Sequence, residues 1–210
     1  MPPPPVTAAA ATAAVYFSQF MVTQQVFYRT ASSFAIVNLK PLLPGHILVC
    51  PLRVVPRMHD LRSDEVADLF LTVQKIGAAL EKIYKAEGLN IAIQDGPVAG
   101  QSVPHVHAHI IPRHRDDLPE DAIYKMLESD EADIGRAHGQ ASGVDTPSTR
   151  QLARDIGKDL DGAGELSMDA LKGRGRFPSV QPDTERPPRT EEVMKEEAKW
   201  LAGKLAAMGL

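Results

Sequence analysis

The chain has 210 residues, 43% of them hydrophobic, one cysteine (Cys50) and a formal net charge of −4. That length fits one domain with extensions. A lone cysteine excludes an intramolecular disulfide framework and makes a reducing compartment the default. The acidic balance argues against an electrostatic nucleic-acid surface. No apolar run reaches the ~18 residues that a membrane span needs. The Pro- and Ala-rich start, 1–14, has no Lys or Arg, so it reads as a flexible leader and not as a signal or transit peptide.

Order is expected from Val15 to Thr30, where aromatic and β-branched residues suit a strand or an edge segment. Phe34–Asn38 reads as a short strand. Lys40–Gly45 then turns the chain, with Pro44-Gly45 as the turn signal. His46–Cys50 is the next strand, stopped by Pro51 and paired antiparallel with the previous one. Arg53–Arg62 connects to a long helix with Ser63 as its N-cap and Asp64 and Glu65 at the positive end of its dipole. Val66, Leu69, Phe70, Val73, Ile76, Leu80 and Ile83 form its apolar stripe, and Gly88 ends it.

Leu89–Gln94 alternates as a strand and runs into the loop Asp95–Ser102. Gly96 and Gly100 let backbone approach a ligand there, and the N–H groups of Gln101, Ser102 and Val103 can cradle a phosphate. An ordinary hairpin loop explains the same composition. Ile123–Leu127 suggests a helical turn. From 128 to 189 the chain is rich in Gly, Asp, Ser, Pro and Arg and too poor in apolar residues to offset its ordering entropy, so a largely disordered insertion is expected. Residues 190–210 return to helix, with Thr190 and Val193 at its start and Trp200 as the expected anchor to the domain.

The chemistry concentrates in His105-Val106-His107-Ala108-His109, which holds three of the seven histidines at alternate positions. Period two places His105, His107, His109 and Ile111 on one face of a strand, and Val106, Ala108 and Ile110 on the other. A solvated surface strand fits poorly, because histidine is not a favoured strand residue. A metal site is limited by geometry, since the outer two histidines of a straight strand stand about 13 Å apart. Two neighbours with His46 remain a possible ligand set. The third reading is nucleophilic and acid–base catalysis along a polyanionic substrate.

The triad followed by Ile110-Ile111 is similar to the histidine triad family. Three further stretches resemble its fragile histidine triad branch: Val37-Asn38-Leu39-Lys40-Pro41, Pro44-Gly45-His46-Ile47-Leu48-Val49-Cys50-Pro51-Leu52-Arg53, and Gln94-Asp95-Gly96-Pro97 with Gly100-Gln101. The resemblance covers about 17–124 and returns faintly over 189–201. It implies an α+β fold over 15–127: a five-stranded antiparallel sheet with a long helix, a C-terminal helix packed on it, and a sheet continued across a homodimer. It also implies hydrolysis of dinucleoside polyphosphates, diadenosine triphosphate or tetraphosphate, to AMP plus ADP or ATP.

By the same resemblance His107 is the nucleophile, its other ring nitrogen donating to a backbone carbonyl. His109 protonates the leaving group, and His105 and His46 surround the nucleophile. Asn38 lies at the ribose, and Gln94, Gly100, Gln101, Ser102, Val103 and His109 bind substrate. A divalent cation, Mg or Mn, travels with the substrate phosphates and has no tight protein site. The expected partners are the small-molecule nucleotide and a second copy of the chain, with neither nucleic acid nor membrane, in the cytoplasm and extending to the nucleus. Where members of the branch have a nucleotide-touching histidine near the amino end, this chain has Gln19 and Phe20. Tyr124 matches a tyrosine that is phosphorylated in the branch. Rival readings are a purine nucleoside phosphoramidase, a nucleotide-binding signalling module and a metal-binding protein.

Overall fold

The computed structural model describes residues 13–118, Ile123, Leu127 and 188–210. The expected leader, the insertion and Tyr124 lie outside these residues, apart from the leader's last two positions and the insertion's last two, Pro188 and Arg189. In chain order the elements are β1 (Tyr16–Phe17), β2 (Phe20–Met21), β3 (Val26–Arg29), β4 (Ser33–Val37), β5 (Ile47–Pro51), α1 (Ser63–Tyr84), β6 (Gly88–Ile93), β7 (Ala108–Arg113) and α2 (Glu191–Ala207). β1 and β2 form a small separate hairpin. The other strands make one antiparallel sheet in the order β3-β4-β5-β7-β6. This is the expected α+β class with a five-stranded sheet. The stretch 15–30, expected as one strand or edge segment, divides into the hairpin, a 3-10 turn at Thr23–Gln25 and β3.

Both helices cover one face of the sheet. α1 contributes Leu69, Val73, Ile76, Ala79 and Leu80, and α2 contributes Met194, Ala198, Leu201 and Leu205; they meet Val37, Ile47, Val49, Ala108 and Ile110 from the strands and Val106 from the segment before β7. Each such side chain removed from water contributes roughly 1.5–3 kcal/mol. The opposite face is also buried. The hairpin residues Phe17 and Phe20 cover Phe34, Leu48 and Cys50, while Ile123 and Leu127, both helical, cover Leu42 and Ile111.

Several boundaries differ from the sequence reading. Arg62, not Ser63, occupies the N-cap of α1, where its backbone N–H donates to the Glu65 carboxylate at 2.9 Å. Glu65 is buried and also takes two bonds from Arg53, Nε at 2.8 Å and Nη2 at 2.6 Å. Its carboxyl is thereby held down at about 2, the Arg53 bonds outweighing the cost of burial. Phe70 is 46% exposed, because the buried stripe follows Leu69, Val73, Ile76 and Leu80 and leaves its neighbour outside. Lys85, not a glycine, takes the left-handed conformation that ends α1, and Gly88 already opens β6. Trp200 is 45% exposed and touches Tyr84 edge to face; the four small and aliphatic residues above anchor α2 instead. Arg189, placed by composition in the insertion, is bonded to the domain.

Gly45 joins the β4–β5 connection to the His46 strand with φ +80°. A Cβ there would stand 2.7 Å from the Tyr84 ring and 2.9 Å from Pro112. Gly45→Ala therefore combines backbone strain with a clash against a partly buried ring. Chemical denaturation should show a loss of roughly 2–4 kcal/mol. An unchanged midpoint would mean that this turn is not constrained as described.

Candidate active site

The sheet ladder reaches only Ala108, so β7 does not carry the whole triad as one straight strand. Pro104 precedes His105, the His105 N–H bonds back to the Val103 carbonyl at 2.7 Å, and Val106 N–H pairs with Val55 at 2.7 Å. The side-chain alternation survives this break. Val106, Ala108 and Ile110 point into the core beneath the helices. His109 lies between Leu48 and Ala92 in register on the other side. Freed from the ladder, the His105 carbonyl accepts from His107 Nδ1 at 2.7 Å.

All four histidines are buried, at 0–3% exposure, so the row of imidazoles is covered in this structure. Phe17 supplies the cover, stacked on His105 at 5.4 Å and edge-on to His107 at 5.3 Å between ring centroids. Burial makes the hydrogen-bond pattern decisive, because a neutral imidazole has one donor and one acceptor. The Ser18 N–H donates to His105 Nδ1 at 2.9 Å, so the His105 proton sits on Nε2 and reaches the Pro51 carbonyl at 2.8 Å. The Leu42 N–H donates to His46 Nδ1 at 3.1 Å. His46 Nε2–H then donates to His109 Nδ1 at 2.9 Å, which leaves the His109 proton on Nε2. His107 carries its proton on Nδ1, against the His105 carbonyl.

Among the described residues, two ring nitrogens of this cluster are buried without a partner, His107 Nε2 and His109 Nε2. By the tautomers just derived, the first presents a lone pair and the second an N–H. Their rings stand 5.0 Å apart. A buried acceptor beside a buried donor has the chemistry of an acid–base or nucleophilic pair, at a desolvation cost that a purely structural pair would not carry. Burial keeps all three triad rings neutral. It lowers His105 to about 4, lowers His107 against the pull of its carbonyl bond, and lowers His109 well below the usual value with help from His107 and His46. Among the described residues no group of three or more His, Cys, Asp or Glu is arranged to hold a metal ion.

The other sequence-derived residues divide into two groups. Asn38 is buried; its Oδ1 accepts from the Lys40 N–H at 3.0 Å and its amide nitrogen lies beside the His46 ring, 3.1 and 3.4 Å from the two nitrogens. It therefore props His46 directly. Gln94 donates to the Leu127 carbonyl at 3.1 Å and lies against Gly100, whose missing Cβ would meet Gln94 Nε2 at 2.4 Å. The Gln101 side chain is committed to its own loop, accepting from Gly96 N–H at 2.9 Å and donating to the Pro56 carbonyl at 2.8 Å. Its backbone N–H goes to Gly96 as well, so the three-amide cradle narrows to Ser102 and Val103. The Val103 side chain packs among the hairpin residues, and Ser102 is half-buried. Phe20, in the region where the branch has its amino-end histidine, packs in the same apolar cluster.

Sequence reasoning missed Phe17, Ser18, Leu42, Pro51 and Arg189. Four of them act through backbone groups or packing. Of these only Ser18, at φ 55°, is locally unusual.

A sheet backed by helices on one face and a histidine cluster on the other defines a histidine-based fold class, and comparison with known proteins agrees. The HIT domain matches residues 19–116. A Schizosaccharomyces pombe protein named an asymmetrical bis(5'-nucleosyl)-tetraphosphatase is 43% identical over 190 residues, 90% of this chain and 93% of that one. A Saccharomyces cerevisiae bis(5'-adenosyl)-triphosphatase is 39% identical over 198 residues, 91% of each. Among solved structures, a Plasmodium falciparum diadenosine triphosphate hydrolase in complex with Cyclomarin A is 33% identical with a TM-score of 0.50, covering 61% of this chain and 86% of that one. The chain belongs to the histidine triad family.

The neutral imidazoles set the acid stability. Unfolded histidines protonate near 6.5, whereas His105 in the fold does so only at about 4. Between these values the unfolded chain binds protons that the folded chain does not, so stability is full above 6.5 and is lost as the pH falls through the window. For His105 alone the loss is on the order of 3 kcal/mol, most of it reached before carboxylates titrate. Denaturation midpoints from pH 7 to 5 should fall, and His105→Asn should flatten the slope. A wild-type profile level from 6.5 to 5 would show that the rings are not held neutral.

Proposed function

We propose that this protein hydrolyses dinucleoside polyphosphates, diadenosine triphosphate or tetraphosphate, to AMP plus ADP or ATP through a nucleotidyl group carried on His107. The carrying observation is the buried His107 Nε2, a lone pair fixed in place by the Nδ1–H bond to the His105 carbonyl. The names of the relatives, which differ in phosphate-chain length, support the substrate class.

His107 Nε2 attacks the α-phosphorus, and the bond from phosphorus to the bridging oxygen breaks. The ring then carries phosphorus on Nε2 and a proton on Nδ1, a cation that the His105 carbonyl stabilises. The electron pair leaves on the bridging oxygen of ADP or ATP, and His109 Nε2–H donates a hydrogen bond to it. Because His109 is neutral, hydrogen bonding serves better than full proton loss, which would leave an imidazolate. The sequence reading of His109 as a proton donor narrows accordingly. Water then adds to phosphorus, the pair in the N–P bond returns to Nε2, AMP is released and one proton goes to solvent. Binding requires the Phe17 hairpin to shift, since the rings are covered in the closed form.

A divalent cation, Mg or Mn, fits as a companion of the substrate, because hard ions prefer the phosphate oxygens to these imidazoles. The proposed homodimer extends the sheet through β6, an edge strand whose six residues are all at least partly exposed, unlike the fully buried β4 and β5.

His107→Asn should lower kcat for diadenosine triphosphate by several orders of magnitude while nucleotide binding persists. Near-normal turnover in that variant would remove the nucleophile assignment. Cleavage of adenosine phosphoramidates without cleavage of diadenosine polyphosphates would replace the substrate class.

A further inference from the structure

We propose that Arg189, just ahead of α2, is a positioning residue for the histidine site, holding the Asn38–Leu39 segment so that Asn38 keeps His46 directed at His109. The proposal deepens the hydrolase reading and rests on it for its kinetic arm.

Arg189 is 151 residues from Asn38 in sequence, yet three of its four donor nitrogens converge on the Asn38–Leu39 segment. Its Nε donates to the Asn38 carbonyl at 3.0 Å, and Nη2 donates to the same oxygen. Its backbone N–H donates to the Leu39 carbonyl at 3.0 Å. Nη1 is held from behind by the Glu197 carboxylate at 2.5 Å, and the Tyr84 hydroxyl reaches that carboxylate at 3.5 Å. The Arg189 and Glu197 side chains are 19% and 21% exposed, so the pair is partly desolvated and more than a loose surface contact.

The Asn38 carbonyl and its side chain move together. That side chain closes the turn through Lys40 and flanks the His46 ring. His46 in turn supplies the proton that fixes the His109 tautomer. Arg189 touches none of the triad rings, and its influence passes through two residues. Helix docking does not need it, since Met194, Ala198, Leu201 and Leu205 already bury the apolar face of α2. A lysine cannot replace it, because one ammonium lacks the planar fork that spans the Asn38 carbonyl and Glu197 together.

The test uses the full chain as wild type, Arg189→Ala, Arg189→Lys, His46→Ala and the double variant Arg189→Ala/His46→Ala. With diadenosine triphosphate, Arg189→Ala should lower kcat by about ten- to a hundredfold with KM nearly unchanged, and Arg189→Lys should fall in the same direction by less. In the His46→Ala background the Arg189 change should add little, because both act on one element. Histidine 15N spectra should show the His46 and His109 tautomers becoming mixed in Arg189→Ala and Arg189→Lys while His107 Nδ1–H persists. Wild-type kcat and wild-type tautomers in Arg189→Ala, or losses that multiply in the double variant, would overturn the proposal. Absence of wild-type hydrolysis would instead remove the function proposed above, and the spectra would still decide the role of Arg189.

Discussion

The site depends on one constraint: backbone groups assign the proton of three of the four buried imidazoles, and His46 passes the assignment on to the fourth, His109. Ser18 N–H and the Pro51 carbonyl fix His105, the His105 carbonyl fixes His107, and Leu42 N–H fixes His46, which then fixes His109. In water a neutral imidazole exchanges between two tautomers at little cost. In this dry cluster the wrong tautomer would set a lone pair against a carbonyl or a proton against an N–H, and each such mismatch forfeits a buried hydrogen bond. Among the described residues, the pattern leaves a lone pair on His107 and an N–H on His109 as the unpartnered positions of the cluster.

The backbone can serve in this way because of how the fold is assembled. The sheet ladder stops at Ala108, which releases the His105 carbonyl for His107. The turn before β5 folds Leu42 back over His46, and Gly45 lets it close so tightly. The hairpin of β1 and β2 lays Ser18 and Phe17 over His105. Both faces of the sheet are therefore buried for different reasons. One carries the helices and the stability, and the other carries the rings and their cover.

This division explains what could be read from the chain. The alternation of His105, His107 and His109 with Val106, Ala108 and Ile110 was legible because side-chain direction follows from extended backbone even where the ladder breaks. The α1 stripe was legible apart from Phe70, whose size suggested burial that its angular position does not give. Trp200 misled in the same way. Ser18, Leu42 and Pro51 were not legible, since any residue supplies an N–H or a carbonyl and only the folded path brings them to a ring. Arg189 was hidden by composition, which joined it to the Gly- and Pro-rich stretch before it, while its partner Asn38 lies 151 residues away. Gln101 shows the opposite error: a polar residue in the expected binding loop spends its side chain holding that loop.

The central claim is that His107 Nε2 bonds to phosphorus during turnover, and an alkali quench tests it most directly, because a phosphorus–imidazole bond survives base. Full-length protein mixed with adenosine-labelled diadenosine triphosphate and stopped in alkali within one turnover should yield a peptide carrying an adenylyl group on His107. Label on another residue, or hydrolysis with no labelled protein at any quench time, would contradict the account.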